Sequence, residues 1–444
     1  MMLLCVFMAL LKPDLVAEGK ANIVHLPDYP AENAMVDTLR VGFFRELNPD
    51  MSFWGREYPG YSEFYSRGDD DSIKILEGHP EMKYKLWMQE NKKNKEKTPL
   101  LLLLPGTAVA YNGESVIALA QIFYEKGFSV ASISNPLNWE FMESASSVDI
   151  PGFATQDAAD VYNALQILVS HLKKEYPDRI STLVLAGYSL GAMHALIISD
   201  IDGREKKIGF SRFVAINPPV DLMYSMKNID RFYEKWRQWP QGKIQHNMNE
   251  AADVYIRIIE GGITPAYKLG ITQDEAEFII GYAFRLQLSE AIFSIYRRGK
   301  DMGNIKVQKK LAKDKLYREI RRYSYRDYVN DFLMKYYSEK LGRPLTIEEI
   351  NENSGLRAIG DSLSKNPDIR IFHNMDDFVA SDGDREWLSE NIGDRVTFFD
   401  HGGHLGNLYL PEVQKRITDS VIDLVYPEPK EGKKVDIKEE KQKE

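Results

Sequence analysis

From Pro99 onward, short runs of apolar residues alternate with longer stretches in which apolar residues recur every three or four positions. A run that is apolar at every position suits a strand buried on both faces, so the alternation predicts βα units around a mostly parallel sheet. Strands are expected near Leu100–Leu104, Phe128–Ile133, Thr182–Ala186, Phe213–Ile216, Ile369–His373 and Val396–Phe399. A helix is expected from Glu114 to Lys126, where Val116, Leu119, Ile122 and Phe123 share a face and Gly127 stops the run. Others are expected across Thr155–Tyr176 and Met193–Ile198. With 444 residues, 43% of them hydrophobic, the chain can bury a large core, either as a few domains or as one large domain with an insertion.

Between Asp221 and Lys365 strand signals give way to helical ones. Phe232, Trp236 and Trp239 fall at helical spacing before Pro240, and Thr272 with Glu275 and Thr346 with Glu349 form capping-box patterns. The expected organisation is a core of residues 98–220 and 366–426, interrupted by a helical insertion at 221–365. An irregular, strand-like extension at 20–97 precedes it, with an aromatic cluster at Phe53, Trp54, Tyr58, Tyr61, Phe64 and Tyr65. Pro427–Glu444 alternates Lys and Glu with almost no apolar group and reads as a solvated tail. Residues 1–19 begin with the apolar run Met1–Leu11, followed by Lys12-Pro13-Asp14 and small residues at Ala17 and Gly19. This resembles the centre and cleavage region of a secretory signal without its basic start, so export is slightly favoured over a cytoplasmic location. The alternative is a short hydrophobic helix that anchors or packs, since so short a run cannot cross a bilayer of about 30 Å.

Charge and cysteine content narrow the chemistry. Lys and Arg number 57 against 66 Asp and Glu, a net charge of −9, which offers no general attraction to nucleic acid. The single cysteine, Cys5, excludes an internal disulfide and a cysteine-rich zinc site and leaves no realistic thiol nucleophile. Reactive groups must come from Ser, His, Asp, Glu or Lys.

Gly187-Tyr188-Ser189-Leu190-Gly191 follows an apolar strand and leads into a helix, the context in which G-x-S-x-G forms a tight elbow that lifts the serine hydroxyl above the sheet edge. A plain glycine-flanked turn with a capping serine is the competing account. Serine is a weak nucleophile at its free pKa and needs a base, and the base needs an orienting group. His404, in the glycine-rich run Asp400-His401-Gly402-Gly403-His404-Leu405-Gly406 after the last strand, is the expected base, with His401 as alternative. His194, on the helix after Ser189, is expected to point away from the site into packing, and His373 to shape the loop that follows it. The acid is expected after the penultimate strand, in His373-Asn374-Met375-Asp376-Asp377-Phe378-Val379. Asp376 is preferred because Val379 completes an Asp-x-x-Val run, and Asp377 is the alternative. Oxyanion donors are expected from the backbone of Leu190 and of Thr107 or Ala108, the latter two in the loop that begins at Pro105-Gly106.

Together these residues resemble the α/β-hydrolase superfamily over roughly Pro99–Leu222 and Ile369–Tyr426. The run Asn217-Pro218-Pro219-Val220-Asp221-Leu222 and the paired Asp376-Asp377 are similar to the YheT-like branch of ester hydrolases, although Phe378 stands where that branch usually has proline. The resemblance implies an α/β-hydrolase fold with a mostly parallel twisted sheet of about eight strands, no organic cofactor and no metal. It implies a serine hydrolase acting on a small-molecule carboxylic ester, hydrophobic or lipid-like, through an acyl-enzyme. An acyltransferase or peptidase using the same triad, or a non-catalytic ligand-binding relative, are the alternatives. The spacing of 187 positions from Ser189 to Asp376 exceeds what the core needs, and the resemblance makes the excess a cap over the pocket. Phe232, Trp236, Trp239, Tyr255, Phe278, Tyr282 and Phe284 could line that pocket or simply pack helix on helix.

Overall fold

The computed structural model describes residues 19–45, 63–90, 97–259, 264–265, 268–299, 305 and 313–426. The apolar segment 1–18, the aromatics Phe53, Trp54, Tyr58 and Tyr61, the side chain of Tyr255 and the tail Pro427–Glu444 lie outside the described residues. The strands are β1 (Asn22–Val24), β2 (Asp69–Ile73), β3 (Met82–Trp87), β4 (Thr98–Leu104), β5 (Ser129–Ile133), β6 (Ile180–Tyr188), β7 (Arg212–Ile216), β8 (Ile369–Asn374) and β9 (Val396–Phe399). The helices that matter for the site are α1 (Ala34–Leu39), α2 (Glu114–Glu125), α3 (Ala154–Glu175), α4 (Leu190–Glu205), α5 (Leu222–Tyr233), α6 (Gln273–Arg297) and α7 (Pro411–Asp419).

All nine strands form one sheet in the order β1-β9-β8-β7-β6-β4-β5-β3-β2. Pairing is parallel from β1 through β5 and antiparallel only where β3 meets β5 and β2 meets β3. The central strand β4 explains the two-layer cover. Leu100, Leu101, Leu102 and Leu103 are each fully buried, and alternate side chains enter opposite cores. Leu100, Leu102 and Leu104 join the core that holds α3 and α4, while Leu101 and Leu103 join the one that holds α2 and α7. Each such leucine contributes about 1.5–3 kcal/mol relative to exposure. A strand of this kind needs helices on both sides, and the chain supplies them.

The sheet has one strand more than the expected eight or so. Part of the difference is β1, which pairs with β9 through Asn22–Thr397, Ile23–Phe398 and Val24–Phe399. Three residues are too short to show a periodicity, so the sequence pattern could not mark it. In the N-terminal aromatic cluster, Phe64 stacks on Trp87 at 5.3 Å between ring centroids.

From Asp221 to Lys365 the described elements are helices, with one isolated bridge between Asp221 and Gly355. Thr272 with Glu275 and Thr346 with Glu349 both make reciprocal capping boxes. Helices α5 and α6 cross closely, because a Cβ at Gly281 would come within 2.1 Å of the Tyr233 backbone nitrogen. Helix α6 is long and apolar enough to cross a membrane, yet 61% of its apolar window is buried inside the protein, where it packs against α5 and α1.

Candidate active site

The elbow at Ser189 is built by the two glycines that flank it. A Cβ at Gly187 would lie 2.3 Å from the Gly191 carbonyl oxygen, and one at Gly191 would lie 2.3 Å from the Leu104 carbonyl oxygen. Both contacts are impossible, so neither position tolerates a side chain. Ser189 itself sits at φ 54° and ψ −128°, a conformation that L-residues avoid. Such strain costs of order 1–3 kcal/mol and is held in place by the surrounding structure. The Ser189 amide donates to the Ile216 carbonyl at 2.8 Å, tying the turn to β7.

The structure brings Ser189 and His404 together although 215 positions separate them in sequence. His404 Nε2 lies 2.9 Å from Ser189 Oγ, and both residues are buried. On the other side of the ring, Nδ1 meets Asp377 Oδ2 at 2.9 Å and Oδ1 at 3.1 Å. Asp377, not Asp376, is therefore the carboxylate against the imidazole, which corrects the preferred assignment. Asp376 is engaged elsewhere, accepting from the Gly403 amide at 2.9 Å and the Gly402 amide at 3.4 Å. Adjacent residues in a turn leaving a strand direct their side chains apart, so only one of the pair can face the ring.

The surroundings of Asp377 hold it ionised. Burial alone would raise its carboxyl, but the charge and hydrogen bond of His404, the charge of His373 and the Val379 amide carry it below the usual carboxylate range. Asn217 Nδ2 donates to Asp377 Oδ2 at 2.7 Å and the Val379 amide donates to Oδ1 at 3.0 Å. Asp376 moves the other way: burial raises it despite the two glycine amides. The Phe378 ring lies 5.4 Å from the His404 ring and covers one side of it.

The other histidines sort by environment. His401 is exposed, away from the nucleophile's hydrogen bonds. His373 is fully buried, with Nε2 3.1 Å from the Pro218 carbonyl oxygen, and supports the turn that carries the aspartates. His194 differs from expectation: it lines the cavity beside Ser189 instead of packing away from it. His194 lies five residues beyond Ser189 on α4, and the cavity it lines is bounded by residues of α3, α4 and α5.

That cavity, about 40 Å³, is bounded by Thr107, Ser189 and Leu190 on the sheet side and by residues such as Met226 and Phe284 from the helical insertion. Leu190 is the first residue of α4, so its N–H has no acceptor within the helix. Ala108 is withdrawn from the oxyanion role, because its amide donates to Asn135 Oδ1 at 3.2 Å. Thr107 is the candidate that remains beside Leu190. Of the insertion's aromatics, Phe284 reaches the cavity. Phe232 packs edge-on against Phe378 at 5.2 Å, and Trp239, Phe278 and Tyr282 pack on one another. Trp236 lies against the Arg237 guanidinium.

Sequence reasoning missed two supports of the site. Asn217 sits at φ 49° directly after β7, and only the fold shows that its amide reaches Asp377. Thr38, on α1, accepts the His404 amide at its Oγ1 at 2.8 Å across 366 positions of sequence. A single threonine in a short, mostly apolar N-terminal helix carries no local sign of such a role.

No family model and no curated protein sequence matches the chain. Solved structures do resemble it in shape. An esterase from Pyrococcus furiosus is 11% identical with a TM-score of 0.43, covering 85% of this chain and 96% of its own. Brefeldin A esterase, a bacterial homologue of human hormone-sensitive lipase, is 11% identical with a TM-score of 0.44, covering 90% and 95%. Proline iminopeptidase from Mycobacterium smegmatis is 14% identical with a TM-score of 0.41, covering 81% and 98%. On its own strand order, its strand–elbow–helix turn at Ser189 and the helical insertion between β7 and β8, the chain has the α/β-hydrolase fold.

Proposed function

We propose that the protein is a serine hydrolase that cleaves carboxylic esters through an acyl-enzyme. The observation that carries this reading is the unbroken line of hydrogen bonds from Ser189 Oγ through both nitrogens of His404 to Asp377. Ser189 Oγ attacks the ester carbonyl as its proton passes to His404 Nε2, and Asp377 stabilises the imidazolium without taking the proton. The Leu190 and Thr107 amides hold the oxyanion. Collapse of the intermediate breaks the ester C–O bond, and the departing alcohol takes the proton from His404. Water then attacks the acyl-serine with His404 again accepting a proton, and the acid leaves as Ser189 recovers its own. The largely apolar lining, including Leu137, Leu222, Met226 and Ile229, supports a hydrophobic acyl group of modest size.

A fluorophosphonate probe tests the reading. Labelling of the wild type and none of Ser189→Ala, with hydrolysis of p-nitrophenyl butyrate by the wild type alone, is the expected result. A folded wild type that neither reacts with the probe nor hydrolyses any ester would overturn it.

A further inference from the structure

The cavity beside Ser189 is not uniformly apolar. His194, on α4, and Asp157, in the first turn of α3, both belong to its lining, and both are buried with 1% and 2% exposure. Each carries a buried polar atom with no protein partner: Nε2 of His194 and Oδ1 of Asp157. The other Asp157 oxygen, Oδ2, accepts from the Gly152 amide at 2.8 Å. A smaller cavity shares Thr107, Leu137, Gly152, Met226 and Tyr325 with the first, and its lining adds Gln287, whose Oε1 also lacks a protein partner. Buried polar atoms are nearly always satisfied, so three without a partner among the described residues, around two cavities that share five lining residues, point to a group that completes them.

The side of the scissile bond follows from the mechanism. His404 must protonate the departing alcohol, so the leaving group lies toward His404, which does not line this cavity. Ser189, Leu190 and Thr107 do line it, which makes it the acyl side. A cavity of about 40 Å³ suits a short acyl chain. Burial disfavours the charged form of each group, pushing His194 down to about 3 and the Asp157 carboxyl well above its ordinary value. In its protonated form Asp157 offers an O–H, and neutral His194 offers one donor or acceptor at Nε2, a pair that matches a hydroxyl able to accept and donate at once. No Lys or Arg is among the described residues lining either cavity, which disfavours a second carboxylate on the substrate.

We propose that His194 and Asp157 form a polar acyl subsite that selects esters of short hydroxy acids over esters of the corresponding alkyl acids. The proposal rests on the ester-hydrolase reading above, and its test separates the two. Purified protein is assayed with p-nitrophenyl butyrate and its 2-hydroxy, 3-hydroxy and 3-amino counterparts, beside fluorophosphonate labelling. A wild type that labels and shows kcat/KM at least about tenfold higher for one hydroxybutyrate than for butyrate is expected, since a site built to pair a hydroxyl rejects the analogue that lacks it. His194→Leu should erase that preference, bringing the ratio of kcat/KM for the hydroxybutyrate over butyrate down to about one. Asp157→Ala should weaken the preference, and Asp157→Asn, which keeps an acceptor for Gly152 and a donor, should restore it. Circular dichroism and thermal melts establish that each variant is folded, and the pair of positions guards against one that is not. Labelling with equal rates on butyrate and the hydroxybutyrates, a preference for the amino ester, or a His194→Leu variant that slows all esters alike would overturn the subsite and leave the hydrolase reading standing. Absence of labelling in folded wild type would remove both.

Discussion

His404 Nδ1 stands 2.9 Å from Asp377 Oδ2, while the adjacent Asp376 gives its oxygens to the amides of Gly402 and Gly403 in the same loop as the histidine. Two neighbouring carboxylates thus act on one loop in different ways, one on the imidazole and one on the backbone that presents it. Replacing each should separate these roles. Asp377→Asn keeps the shape but presents an amide to Nδ1 and is expected to lower kcat by about 10³–10⁴-fold with little change in KM. Asp376→Asn retains one acceptor for Gly403 and should cost less than about tenfold. Steady-state kinetics on p-nitrophenyl butyrate decide it; equal losses at the two positions would contradict the separation.

The strain at Ser189 yields a prediction about stability independent of substrate. Ser189→Ala and Ser189→Gly both lack the nucleophile, but only glycine is at ease with φ 54°. Relief of strain at the elbow should make Ser189→Gly about 1 kcal/mol more stable than Ser189→Ala in urea unfolding. An alanine variant at least as stable as the glycine one would show that the turn is not strained.

Contacts from α1 predict that the N-terminal segment governs the histidine loop. A Cβ at Gly406 would come within 1.8 Å of the Asp37 carbonyl oxygen, and one at Gly403 within 2.1 Å of the Ala34 carbonyl oxygen. Gly406→Ala should therefore separate helix and loop, destabilise the fold and abolish activity. Thr38→Val is the milder probe: it leaves the buried His404 amide without its 2.8 Å acceptor, at a cost of about 1–3 kcal/mol. A drop in kcat larger than the change in KM, with the fold retained by circular dichroism, is the expected outcome.

Asp157 makes stability depend on pH in a definite direction. Its folded-state carboxyl is raised by burial well above the ordinary 3.8, so the native protein holds that proton where the unfolded chain has released it. The stabilisation is fully present below about 3.8 and is lost as pH rises through the raised folded value. Wild-type melting temperature should fall relative to Asp157→Asn between acidic and alkaline pH, since the variant has no proton to lose at that position. Parallel curves for the two proteins across that range would place Asp157 in a more polar setting.

The reactive pieces were legible in the chain before any fold was known. An apolar run at Thr182–Ala186 leading into Gly-x-Ser-x-Gly can hardly be anything but a strand and an elbow, and the glycine-rich run around His404 marks a loop free to bend. Local chemistry dictates both, because steric exclusion at Gly187 and Gly191 acts over a few residues. The alternation of apolar runs and amphipathic stretches dictated the layered sheet for the same reason.

Tertiary structure alone decided which aspartate faces the ring, which loop amide stays available and what lies beneath the nucleophile. Asp376 and Asp377 have the same chemistry one position apart, and only the path of the turn leaving β8 orients one of them toward His404. The Ala108 amide is engaged by Asn135 Oδ1, and His194 lines the cavity because α3, α4 and α5 meet there. The pairing of β1 with β9 and the hydrogen bond from the His404 amide to Thr38 tie residues 22–38 to residues 397–404. Contacts across hundreds of residues leave no periodicity in sequence, since they depend on how whole elements pack and not on the spacing within any one of them.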